Sequence, residues 1–222
     1  MYLFVFYIII CFSLVKTNPT NPINPMNIIS LKDDNFITVR GRVTNINIGY
    51  AINQLMKISK YNNHVYLYLN TPGGDVMAGL QLINYMKALQ ENNVKIDCIV
   101  NTAISMGFVI LQQCSTRYVL PHSTLMQHQM SLENGPFGEI EKINSYVKYL
   151  NTLENELNIL QSNKINMLLE KFKEKILTDW WMTSQEAVDN NVVDKYAVFH
   201  CDFYNYNETI DGIEYSRCPL LP

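Results

Sequence analysis

The chain has 222 residues, 48% of them hydrophobic, enough to bury one sizeable α/β domain, or one domain with an appendage. Its formal net charge is -3 and only 17% of its residues are charged, with no basic block, so it carries no electrostatic footprint for a nucleic-acid partner. The first fifteen residues, MYLFVFYIIICFSLV, are almost wholly apolar. They suit the apolar region of a signal peptide and are short for a membrane span. We read 1–15 as a targeting or anchor segment, which would place the protein in a secretory, membrane-tethered or organellar setting, with the cytoplasm as the alternative. Three Asn-Pro pairs follow, and they make 16–30 a flexible linker.

From there strands and helices alternate. FITVRGRV (36–43) reads as a strand. Residues 47–59 carry Ile48, Ala51, Ile52, Leu55, Met56 and Ile58 at helical spacing. HVYLYLN (64–70) is a strand, TPGGD (71–75) a break, and 76–89 a helix with Val76, Leu80, Ile83 and Met86 or Leu89 on one face. KIDCIVNT (95–102) has the composition of a buried strand, and SMGFVILQQC (105–114) that of a short apolar helix. RYVLP and STLMQH read as short strands on either side of Pro121-His122. This β-α-β-α-β-α-β order argues a mostly parallel sheet with helical crossovers. From Phe137 to Leu177 the pattern is one long helical region with an interrupted stripe of leucines, too long to lie over a small domain, and expected to project and pack on another subunit. Residues 184–194 read as a short helix and a turn into an edge strand. The domain is expected over 31–196, with 197–222 an irregular aromatic tail.

The chemistry-bearing residues are few. Gly73-Gly74 reads most simply as a tight βα turn; the functional alternative is a place where a Gly N–H faces a developing negative charge. It is no phosphate loop, since neither Gly-Lys-Ser/Thr nor G-x-G-x-x-G is present. Ser105 opens a helix after a strand, which suits either a helix cap or a nucleophile at a strand-to-helix turn. Of the four histidines, His128 ends a strand downstream of Ser105 and could serve as its base. Asp179, beside two tryptophans, is a helix-end aspartate or the group that orients such a base. Cys98 and Cys114 lie in apolar runs and read as buried small hydrophobes, whereas Cys201 and Cys218 could pair in an oxidising lumen. No cysteine/histidine spacing suggests zinc, and Asn207-Glu208-Thr209 is an N-x-T sequon.

Four motifs in order give these residues a common frame. YLYLNTPGG (66–74) is similar to YLYINSPGG of the Clp protease proteolytic subunit (ClpP) family. ISMG (104–107) is similar to its ASMG, LPHSTLMQHQM (120–130) to LPNSxxMxHQP, and DWWMTSQEAVDNNVVD (179–194) to DRFLSAxEAxxYGLVD. The resemblance covers roughly 36–195. It implies a ClpP/crotonase-type spiral of ββα units with a projecting long handle helix. It also implies an ATP-dependent-type serine endopeptidase, with Ser105 as nucleophile, His128 as base, Asp179 as orienting acid, and the amides of Gly74 and Met106 as oxyanion hole. No metal or cofactor is implied. Residues 135–145 would form a strand that pairs with an extended, unfolded protein or peptide substrate. The partners implied are further copies of the chain, in a heptameric ring that can stack into a tetradecamer, and an AAA+ unfoldase docking near Tyr66 and Tyr68.

The chain departs from the family at Thr178, where an Arg is usual, at Met130, where a Pro follows the catalytic histidine's His-Gln, and at His122, which takes an Asn position and reads as structural. The N-terminal gating loop is replaced by the Asn-Pro linker. Three rivals remain at this level. One is a catalytically silent structural subunit of the same ring. Another is a signal-peptide-peptidase-like enzyme with a Ser-Lys dyad. The third is an acyl-CoA enzyme of the same spiral fold, which would not need Ser105, His128 and Asp179 together.

Overall fold

A computed structural model of the chain describes residues 26–132, 135 and 137–219. The apolar leader and most of the Asn-Pro segment lie outside these residues. In chain order the elements are β1 (Asn27–Leu31), β2 (Phe36–Arg40), α1 (Asn45–Ile58), β3 (His64–Thr71), α2 (Val76–Glu91), β4 (Lys95–Ile104), α3 (Met106–Gln112) and β5 (Arg117–Gln127). Then follow α4 (Ile140–Lys164), α5 (Leu169–Ile176), β6 (Trp180–Thr183), α6 (Ser184–Asp189), β7 (Lys195–Cys201), β8 (Asn207–Ile210) and β9 (Ile213–Ser216).

Seven strands form one sheet in the order β1-β7-β5-β4-β3-β2, all parallel, with β6 added antiparallel to β5. The expected α/β architecture of βα crossovers is therefore present. Its strands are apolar runs because helices cover them: Val65, Leu67 and Leu69 of β3 and Ile96, Cys98 and Val100 of β4 are all fully buried. Local signals fix the helix starts. Thr44 caps α1 by accepting from the Asn47 N–H, and the Asp75 carboxylate caps α2 by accepting from Ala78 N–H at 2.7 Å. The buried face of α2 is Ala78, Gly79, Leu82, Ile83 and Met86, rotated from the expected Val76–Leu80 face. A side chain on Gly79 would collide with that of Met106, so the small pair lets α2 settle against α3.

Several expectations are corrected. The two short strands around Pro121-His122 are one strand, β5, whose pairing with β4 skips from Val100–Val119 to Thr102–Thr124. The residues left over bulge outward, and Ser123 ties the bulge down by donating to Val100 O at 2.6 Å. The long helical region breaks into α4 and α5. Asn166 takes φ 55, and Met167 N–H reaches back to Ser162 O at 2.9 Å, a left-handed helix stop. The first half of α4 is mostly exposed, while Leu157–Ser162 is mainly buried.

Residues 140–145, expected in a substrate-pairing strand, are the first turns of α4; 135 and 137–139 are in no strand, and 136 lies outside the described residues. Strand β7 is no edge strand, because β1, from the end of the expected linker, pairs along its outer side. The tail is ordered by β7, the β8–β9 hairpin and a Cys201–Cys218 disulfide with Cα atoms 6.0 Å apart. Cys98 and Cys114 are buried as expected, but they are joined in a disulfide, because β4 and the end of α3 bring their Cα atoms to 5.7 Å. Asn207 of the sequon is exposed on β8.

Candidate active site

The chain must turn from β4 into α3 at a single residue, Ser105, and it does so at φ 55, ψ -118. A serine pays of order 1–3 kcal/mol to sit in such a conformation, which persists only where the surroundings enforce it. They do. Ser105 N–H donates to Met126 O at 2.9 Å, and Ser105 O accepts from Phe108 N–H at 2.9 Å. Ser105 occupies the cap position of α3, yet its side chain makes no capping bond. The helix-cap reading of this serine is thereby weakened, since among the described residues its hydroxyl makes no hydrogen bond.

The turn after β3 presses against this one. Gly73 has φ 86, and a Cβ on it would stand 2.6 Å from Ile104 O, 2.8 Å from Ser105 Cβ and 3.0 Å from Met106 N. Gly107 is glycine for the complementary reason: its Cβ would meet Thr71 Cγ2 at 2.6 Å. Val43 completes the arrangement, donating to Gly73 O at 2.8 Å and accepting from Asp75 N–H at 2.9 Å, so that it brackets Gly74. Among the described residues the amide N–H groups of Gly74 and Met106 donate to nothing. The Met106 amide stands at the start of α3, where backbone N–H groups are orphaned by helix geometry.

Ser105 and His128 line the same cleft, about 620 Å³ in volume, together with Gly73, Gly74, Met126 and Met130. His128 follows the last residue of β5 and is partly buried, and its backbone N–H donates to Gln127 Oε1 at 3.3 Å. Asp179 is exposed, in the turn between α5 and β6, and lines neither this cleft nor the smaller cavity beside it. Among the described residues no hydrogen bond joins Ser105 to His128 or His128 to Asp179. The structure thus brings Ser105, His128, Gly74 and Met106 to one place. It sets Asp179 at its margin, one residue before Trp180, which pairs with Gln127.

No lysine lines either cavity among the described residues, which speaks against a Ser-Lys dyad. Nor do these residues contain a cluster of three or more histidine, cysteine, aspartate or glutamate side chains able to hold a metal, or a helix long and apolar enough to cross a membrane. Two residues were missed in the sequence. Gly73, read only as half of a turn, is the contact surface for Ser105. Glu154 of α4 accepts the Met130 N–H at 2.7 Å and so ties the segment after His128 to the long helix. The signal for Glu154 was a residue other than proline at 130, which leaves a backbone donor to be satisfied.

A family model described as Clp protease matches residues 25–198. Similar proteins include the ATP-dependent Clp protease proteolytic subunits of Streptococcus agalactiae serotype V and serotype III. Each is 27% identical over 168 residues, which cover 74% of this chain and 85% of the relative.

Proposed function

This chain belongs to the Clp protease family, and we propose that it is a serine endopeptidase subunit acting on unfolded protein or peptide substrates. The observation that carries the reading is the conformation of Ser105. A serine with a free hydroxyl is held at φ 55 on a strand-to-helix turn, facing a cleft it shares with a histidine.

In this mechanism Ser105 Oγ attacks a peptide carbonyl carbon while His128 takes the hydroxyl proton. The negative charge that forms on the carbonyl oxygen is met by the Gly74 and Met106 N–H groups, which donate to nothing else among the described residues. His128 then gives its proton to the leaving amine. Water, deprotonated by the same imidazole, attacks the acyl-enzyme and releases Ser105. Asp179 would fix the imidazole tautomer once its carboxylate swings toward His128.

We infer further that the subunit works in a ring of identical copies, for which the exposed first half of α4 offers packing surface. Docking of an AAA+ unfoldase has less support. Tyr68 is buried, with the ring of Phe199 5.7 Å away, and of the two tyrosines only Tyr66 keeps partial exposure.

A second reading, a catalytically silent ring subunit, is favoured by the unmade hydrogen bonds among Ser105, His128 and Asp179. Labelling with a fluorophosphonate probe separates the two. Labelling that vanishes in Ser105→Ala identifies a working nucleophile, whereas an intact ring that does not label identifies a structural subunit.

A further inference from the structure

The sequon Asn207-Glu208-Thr209 has no part in the cleft chemistry. A second Asn-x-Thr sequence, Asn18-Pro19-Thr20, is disqualified as a glycan acceptor by its central proline. The first falls on β8, where successive side chains point to opposite faces. Asn207 and Thr209 are exposed. Glu208 between them turns inward: its side chain is 12% exposed and its Oε1 stands 3.4 Å from both Arg217 Nε and Gln54 Nε2. The two side chains that define the acceptor sequence therefore stay in solvent, while the residue that is free to vary anchors the hairpin. The Asn207 carboxamide makes no hydrogen bond among the described residues, so a substituent on its nitrogen breaks no contact there.

The cysteines supply an independent observation. Cys98–Cys114 and Cys201–Cys218 are both disulfides, which uses every cysteine among the described residues. The first pair is fully buried between β4 and the end of α3. The second closes the chain around the β8–β9 hairpin that carries Asn207. Disulfides form and persist in oxidising compartments and are rare in the cytosol. Asparagine glycosylation is a modification of secreted chains, so the redox state and the exposed sequon point to one setting.

We propose that this chain folds in the lumen of the secretory pathway and carries an N-linked oligosaccharide on Asn207. The co-substrate is a polyprenyl-pyrophosphate-linked oligosaccharide. Asn207 Nδ2 bonds to the anomeric carbon of the first sugar, and the bond from that carbon to the pyrophosphate oxygen breaks. The lipid pyrophosphate leaves with the electron pair, and the amide gives up one proton to the transferase. Nothing is oxidised or reduced. The assignment is independent of Ser105, since a catalytically silent subunit would carry the same glycan.

The test translates the full chain with endoplasmic-reticulum microsomes. The expected product is shielded from added protease and migrates more slowly than the chain made without membranes. Peptide:N-glycosidase F should abolish the shift and convert Asn207 to aspartate, read by mass spectrometry. Asn207→Gln and Thr209→Ala should lose the shift completely and Thr209→Ser should keep it, with protease protection unchanged in all three. Alkylation of the denatured, unreduced product should leave Cys98, Cys114, Cys201 and Cys218 unmodified. A shielded chain without the shift overturns the glycan assignment, and so does a shift that persists in Asn207→Gln. A chain that stays open to protease, or whose four cysteines alkylate without reductant, overturns the lumenal setting and the glycan with it.

Discussion

His128 and Asp179 are the residues that follow the last pair, Gln127–Trp180, of the antiparallel β5–β6 ladder. The ladder stops at that pair, and a local turn in which Trp181 N–H donates to Asp179 O at 3.2 Å begins at Asp179, so both residues stand at the same end of the β5–β6 ladder. On the serine-peptidase reading, the hydrogen bond between them that is unmade here closes in the working enzyme. Asp179→Asn should therefore lower kcat about 10⁴-fold while leaving KM nearly unchanged, because the imidazole loses its preferred tautomer. Asp179 is exposed, so stability should move by less than about 0.5 kcal/mol. Peptide hydrolysis and urea denaturation of the same variant check both numbers. An undiminished kcat would remove Asp179 from the mechanism.

The backbone of Ser105 predicts an unusual separation of stability from activity. Glycine adopts φ 55 without the steric cost that serine bears, although it loses more chain entropy on folding. Ser105→Gly should accordingly unfold at a Tm equal to or above that of the wild type, yet bind no fluorophosphonate. Ser105→Ala keeps the strain and should lose labelling without that gain. Thermal melts of the three proteins give the ranking. A clear loss of stability in Ser105→Gly would mean that the hydroxyl is a structural group after all.

Gly73 supports the same turn from outside. Gly73→Ala would put a Cβ 2.6 Å from Ile104 O at a φ of 86, so both the strain and the collision fall on the nucleophile turn. A cost of about 1–3 kcal/mol from the backbone alone is expected, together with slower labelling of Ser105. Gly49→Ala, on α1, is the control. A Cβ there meets nothing within 4 Å among the described residues, and labelling should be unaffected.

These residues also show which parts of the molecule could be read from the chain. The βα alternation was legible because each buried strand is a run of apolar residues and the helices between them carry apolar residues at helical spacing, as Ile48, Ala51, Ile52 and Leu55 do. The meeting of Ser105 with His128 was legible only through motif order, since no local pattern says that two turns 23 positions apart share a cleft. The break between α4 and α5 was hidden because its stop residue is Asn166, one asparagine among many. The β1–β7 pairing was hidden because it joins segments about 170 residues apart, as in Asn27 with Ala197. Glu154 was hard to read because its partner is a backbone N–H, whose one trace in the sequence is that residue 130 is not proline.

Arg117 and Asp194 bind the start of β5 to the loop before β7, and they predict how the fold responds to acid. Arg117 donates through Nε and Nη2 to the two oxygens of Asp194, at 3.1 and 2.6 Å, and through Nη1 to Gln112 at 2.6 Å; it is only 4% exposed. Burial pushes the Asp194 carboxyl up, but the side-chain and backbone hydrogen bonds from Arg117 and its charge outweigh that and hold it below the usual 3.8. A carboxyl depressed by folding contributes stability that is fully present above its unfolded value and lost as pH falls through the folded one. The contribution should therefore be constant above about pH 5 and decline below about pH 4. Asp194→Asn leaves the buried guanidinium without its counter-charge and should cost about 3 kcal/mol at pH 7. It should also flatten the acid limb of the stability curve, since the titrating group is gone. Urea denaturation between pH 3 and pH 7 tests both. A variant that loses stability with pH as steeply as the wild type would place the acid sensitivity in another carboxylate.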